Sequence, residues 1–249
     1  MDILDTHAYD RRQRRNMSCA LLFSLLPFFL SSGLYFYLWT ADAPSSITAS
    51  AVKSAPAVLL AAAVLSWNGA QSVLGVAGGL LLSAVGDCLT LTFDLLSVSG
   101  MGAFAAAHVL YSLSFLSSRY ATHSSSSWTR LLYPVAFLAG GAFYIFLFPF
   151  LKKAPNADLL TPAVAIYIFL IAVMCAIAIS TRYTATLLGA LTFAVSDVIL
   201  ALHVFKVMPE TDHSNSAIMA TYYLAQLLIA VGDVKATENK DDFGKWKRS

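Results

Sequence analysis

Eight apolar runs separated by polar connections cover almost the whole chain, at residues 17–38, 47–66, 72–94, 99–118, 129–148, 160–180, 184–205 and 214–234. Each is close to the roughly 20 residues that carry a helix across a hydrocarbon core of about 30 Å, at about 1.5 Å per residue. The pattern predicts an all-α polytopic membrane protein, a bundle of eight transmembrane helices over 17–234 with polar, mobile tails at 1–16 and 235–249. The first run follows RRQRR, exceeds 20 residues and lacks a small-residue cleavage site, so it reads as the first helix and not as a signal peptide.

Composition agrees. The chain is 58% hydrophobic and 12% charged, with a mean hydropathy of +0.68, whereas a soluble domain is about 25% charged. The net charge of +2 is spread over tails and loops, which gives no ground for a nucleic-acid partner. Cys19, Cys88 and Cys175 all fall inside predicted spans and read as small buried side chains, offering neither a disulfide framework nor a CxxC metal site.

The positive charges predict an orientation. With the N-terminus cytoplasmic, that side holds Arg11, Arg12, Arg14, Arg15, Arg119, Arg130, Arg182, Lys235, Lys240, Lys245, Lys247 and Arg248, against Lys152, Lys153 and Lys206 on the other. Both termini are then expected in the cytoplasm. The ending KWKRS, with Lys247 and Lys245 third and fifth from the C-terminus, resembles a dilysine retrieval signal and points to the endoplasmic reticulum membrane.

Charged groups inside the spans are few, and they form a pattern. GLLLSAVGD at 79–87 aligns with GALTFAVSD at 189–197, so Asp87 and Asp197 occupy matching places 110 residues apart. The same offset carries the first four helices onto the last four and suggests two parallel four-helix halves. An intramembrane aspartate costs about 2.5 to 3.5 kcal/mol on insertion scales and usually serves function. Counted from the non-cytoplasmic ends at about 1.5 Å per residue, Asp87, Asp197, Lys53, His108 and Tyr222 all lie roughly 9 to 14 Å deep. One polar cavity shared by helices 2, 3, 4, 7 and 8 would account for that agreement. His108 and Tyr111 share a helix face, as do Tyr222 and Gln226. Asp233 and Asp94 read as boundary residues at helix ends, and His203 as interfacial.

These residues also carry a resemblance. Lys53-x-x-Pro56, GDCL (86–89), GMGAFAAAHVLY (100–111), SDVIL (196–200) and IMATYYLAQLLIA (218–230) occur in that order, and together they resemble the YhhN-like membrane proteins, whose animal members are lysoplasmalogenases. The resemblance implies hydrolysis of the vinyl ether bond of a lysoplasmalogen to a fatty aldehyde and glycerophosphoethanolamine or glycerophosphocholine. Such hydrolysis needs a general acid, a base and a stabiliser of positive charge, which glycosidases supply with two carboxyl groups. Asp87 and Asp197 are the expected catalytic pair. Lys53, His108, Tyr111, Tyr222, Tyr223 and Gln226 are the expected substrate-binding residues, and the expected partners are a lysophospholipid and membrane lipids.

Two other classes compete. Paired intramembrane carboxylates also serve lipid or proton-coupled transporters, although the aspartate-bearing spans lack the central breaks expected there. A zinc hydrolase usually needs three protein ligands. Only His108 and His203 lie in spans, neither in an HxxxH pair, so no metal or other cofactor is expected.

Overall fold

The structure, a computed structural model, describes the backbone of residues 3–39, 46–93, 98–120, 127–181, 183–207 and 214–246, and the side chains of 16–39, 46–91, 98–120, 132–181, 183–207 and 214–238. Within these residues the chain forms α1 (Ile3–Leu38), α2 (Ile47–Asn68), α3 (Val76–Phe93), α4 (Val98–Leu116), α5 (Ser127–Leu151), α6 (Ala157–Ser180), α7 (Thr184–Val204) and α8 (Ser214–Trp246), and no strand. Seven of these helices are long and apolar enough to cross a membrane, and α3 contributes a shorter apolar stretch, Val76–Leu91. The protein is an all-α, multi-pass membrane protein. Asp94, Arg182 and the last three residues, Lys247 among them, lie outside the described residues, as do the side chains of the N-terminal arginines, Arg130, Lys240 and Lys245.

Helix ends depart from the expected boundaries for local reasons. The hydroxyl of Ser46 caps α2 by accepting from the Ala49 amide at 3.1 Å. At its other end Gly69 takes a φ of 66°, which suits glycine, and a short 3-10 turn over Gly69–Ser72 follows. That turn consumes the start of the predicted third run, so α3 begins at Val76. The terminal helices run on into the polar tails: α1 begins at Ile3 and α8 continues to Trp246. The first extension carries Arg11, Arg12, Gln13, Arg14 and Arg15 and the second Lys235, Glu238, Lys240 and Lys245, unbranched residue types that suit helices.

Leucine surrounded by lipid tails gains little from packing on another leucine, so close approach of helices rests on small residues. A Cβ on Gly79 of α3 would sit 2.4 Å from the Tyr111 ring of α4, and a Cβ on Gly189 of α7 would sit 2.9 Å from the Ile229 backbone of α8. The matched glycines therefore do the same work, one drawing α4 onto α3, the other α8 onto α7. The most extensive packing is α7 on α8, α2 on α3 and α3 on α4, and the halves meet where α4 packs on α6 and α2 on α8. The outer faces of α1 and α5 expose Phe23, Leu30, Leu138 and Ile145, the surface expected towards lipid.

At one end of the bundle Asp233 corrects the sequence reading. It is fully buried, not a boundary residue. Its carboxylate accepts from Asn68 at 2.7 Å, Ser114 at 3.0 Å and Tyr120 at 3.2 Å, and pairs with Arg119 at 3.3 Å. Burial first, then the neighbouring carboxylate, pushes the Tyr120 phenol well above its ordinary value, which keeps it a donor. Four partners from α2, α4 and the segment after α4 tie those elements to α8. Adjacent Gly232 makes room, since a Cβ there would lie 2.2 Å from the Thr186 hydroxyl.

Candidate active site

At the other end, the depth pattern places Asp87 six residues before the last described residue of α3 and Asp197 seven before the end of α7, about 9 to 11 Å along the helix axes. Both line one cavity of about 330 Å3, together with Lys53 and Tyr222. The remaining walls are mostly apolar and come from α4, α5, α6, α7 and α8. Concave, largely apolar spaces with a few convergent polar groups are the usual form of a small-molecule site.

Asp87 is 2% exposed and sits between two donors. The Lys53 ammonium of α2 lies 3.5 Å from Oδ1, and the Tyr222 hydroxyl of α8 donates to Oδ2 at 2.8 Å. Lys53 is itself positioned, because Nζ reaches the Thr90 hydroxyl at 3.5 Å and its carbonyl accepts from Tyr223 at 2.8 Å.

Asp197 is 12% exposed and has a different pair of neighbours. The Tyr167 hydroxyl of α6 hydrogen-bonds its carboxyl group, and His108 Nε2 of α4 lies 3.6 Å from Oδ2. His108 Nδ1 lies 2.6 Å from the Phe104 carbonyl. A carbonyl can only accept, so Nδ1 carries the hydrogen and a neutral ring leaves Nε2 bare. Neither Nε2 nor Asp197 Oδ2 has a hydrogen-bond partner. Two buried acceptors face each other, and one proton between them satisfies both.

The two aspartates are held by corresponding elements. Asp87 of α3 stands between α2 and α8; Asp197 of α7 stands between α6 and α4, and advancing each helix by four converts one set into the other. Lys53 and Tyr167 are 114 residues apart, as are His108 and Tyr222, one helical turn more than the 110 between the aspartates. The same register appears beside them. Gly86 packs on the Phe104 ring, while Ser196 donates to the Ile218 carbonyl at 3.1 Å, and Phe104 and Ile218 are again 114 apart. Tertiary contacts thus support the duplication that AVGD and AVSD suggest.

Of the residues expected to bind substrate, Lys53 and Tyr222 line the cavity, and His108 stands behind Asp197 without lining it. Tyr111, Tyr223 and Gln226 also lie outside the lining. Tyr111 shares a hydrogen bond with Ser83 at 3.2 Å, and Tyr223 packs edge-on against Phe28, Tyr35 and Phe36. Gln226 is completely buried with neither amide atom paired. Sequence reasoning missed Tyr167, which looks like packing in an apolar span. Its position, one turn beyond the 110-residue offset from Lys53, was the available signal. Among the described residues, no group of three His, Cys, Asp or Glu side chains is arranged to hold a metal ion.

Eight helices and a cavity lined by two carboxyl groups define a polytopic membrane protein. The chain belongs to the YhhN family, whose model matches residues 48–232. It is 34% identical over 220 residues to lysoplasmalogenase TMEM86B of Homo sapiens, covering 88% of this chain and 89% of that protein. With lysoplasmalogenase TMEM86A of Bos taurus it shares 31% identity over 235 residues, 88% of this chain and 92% of the relative. No solved structure matches the chain significantly.

Proposed function

We propose that this protein is a lysoplasmalogenase, a hydrolase that cleaves the vinyl ether bond of a lysoplasmalogen to a fatty aldehyde and glycerophosphoethanolamine or glycerophosphocholine, with Asp87 and Asp197 as the reacting carboxyl groups. The observation that carries the reading is the unequal dressing of two matched aspartates in one cavity. Asp87 has a cation and a phenol donor, the setting of an ionised carboxylate, while Asp197 has a phenol donor and shares one proton with the bare nitrogen of His108.

The chemistry follows from that difference. Protonated Asp197 delivers its proton to the β-carbon of the vinyl ether, and the α-carbon becomes an oxocarbenium ion stabilised by the Asp87 charge. Water adds to that carbon as Asp87 takes its proton, giving a hemiacetal. The hemiacetal hydroxyl then returns a proton to Asp197 while Asp87 protonates the departing glycerol oxygen. Aldehyde and alcohol leave, both carboxyl groups are restored, and one water is consumed. Proton transfers by positioned groups are worth about 10^2- to 10^4-fold each. Aldehyde release from lysoplasmalogen by purified protein in detergent tests the reading. Movement of the lipid across proteoliposomes without aldehyde would replace it with transport.

The positive-inside charge distribution supports a cytoplasmic location for both termini, and the KWKRS ending supports residence in the endoplasmic reticulum membrane. Replacing Lys245 and Lys247 together by Ala should move the protein to later secretory compartments, as seen by imaging in cells.

A further inference from the structure

The cavity is deeper than the chemistry needs. The lining of α5 runs from Leu147 through Phe143 and Gly140 to Ala136, and that of α6 from Val164 through Tyr167 and Ile171 to Cys175. Both follow helical spacing along one face. Cys175 is eight residues beyond Tyr167 and Leu191 is six beyond Asp197 towards the opposite side of the membrane, so the space continues about 9 to 12 Å past the carboxyl groups. All the charged groups of the lining, Lys53, Asp87 and Asp197, lie at the carboxyl level. Below them the walls are aliphatic and small, with Ala136, Gly140, Ala172 and Ala194 leaving the room.

The geometry points to this branch between α5, α6 and α7 as the binding site for the hydrocarbon chain of the substrate, with Ala136, Cys175 and Leu191 at its floor setting the chain length accepted. The inference rests on the lysoplasmalogenase reading for the identity of the lipid. An unbranched chain entering from the carboxyl level places the vinyl ether beside Asp87 and Asp197 and leaves the polar head near Lys53 and Asn215. Displacing such a chain from lipid yields little hydrophobic gain, because both surroundings are apolar. Selectivity must come from the length of the filled space, where a methylene that does not fit is worth about ten- to 200-fold.

The test uses the full chain in detergent with Ala136→Phe, which shortens the branch, and Leu191→Ala, which lengthens it. Turnover is compared on lysoplasmenylethanolamine carrying dodecenyl or octadecenyl chains, after thermal unfolding shows that each variant is folded. Ala136→Phe should lower kcat/KM for the long chain relative to the short by at least about tenfold, and Leu191→Ala should move the ratio the other way. Binding of ester-linked lysophosphatidylethanolamines of the same two lengths, read by thermal shift, separates this inference from the hydrolase reading. If no protein releases aldehyde yet Ala136→Phe still selects against the long ester, the chain site stands and the hydrolase reading falls. Folded variants whose long-to-short ratios equal those of the parent, in turnover and binding alike, would overturn the chain site.

Discussion

Asp233 and Asp197 are both intramembrane carboxyl groups, yet their surroundings are opposite. Asp233 is enclosed by Asn68, Ser114, Arg119 and Tyr120, with a cation and three neutral donors on its two oxygens. Asp197 has one oxygen without a hydrogen-bond partner, faces an equally bare histidine nitrogen, and opens onto a cavity. A carboxylate whose lone pairs are all occupied holds helices together, because moving its charge or proton would break several bonds at once. One left partly unsatisfied beside a cavity lacks that structural explanation and fits the role of acid proposed for Asp197. A buried carboxyl oxygen is common to both; the completeness of the hydrogen bonding is what distinguishes them.

The contrast can be broken experimentally. Asp197→Asn and Asp87→Asn should each lower kcat by about 10^3-fold or more while thermal unfolding changes little, and a folded Asp197→Asn protein with near-parental aldehyde release would remove Asp197 from the chemistry. Asp233→Ala should do the reverse. It leaves Arg119 buried and unpaired, a loss of about 3 to 5 kcal/mol, so the yield of folded protein drops while turnover per folded molecule holds.

Smaller effects sharpen the difference between the two cavity aspartates. Tyr167→Lys copies the Lys53 arrangement onto Asp197, so the proposed acid becomes a second ionised carboxylate; about a 100-fold loss of kcat is expected. Tyr167→Phe removes only the hydrogen bond and should cost about tenfold. Tyr111→Phe should change kcat/KM by no more than about threefold, since Tyr111 bonds Ser83 away from the cavity. A larger Tyr111 effect would extend the site through Ser83.

Much of the fold was legible because lipid imposes a simple rule: every span must be a long apolar helix, and eight such runs stand out. Boundaries were less so. The third run lost its start to the turn after Gly69, and the polar extensions of α1 and α8 carry no hydrophobic signal by which to mark a helix. In the site, depth was readable from residue counts, which brought Asp87, Asp197 and Lys53 to one level. Azimuth was not. Tyr222 and Gln226 share a face of α8, yet Tyr222 reaches Asp87 and Gln226 is buried off the cavity. Asp233 was misread for the same reason, since its partners lie 113 to 165 residues away.

By itself, then, the sequence determined the number of helices, the level of the charges in the membrane and the pairing of the aspartates, because hydropathy and repeat spacing run along one dimension. The tertiary structure decided which groups meet. It put a lysine against one aspartate and a tyrosine with a histidine against the other, and it left a space below them. Those outcomes depend on how each helix is rotated against its neighbours, which is set by contacts such as Gly79 on Tyr111 and Gly189 on Ile229 that no single span encodes.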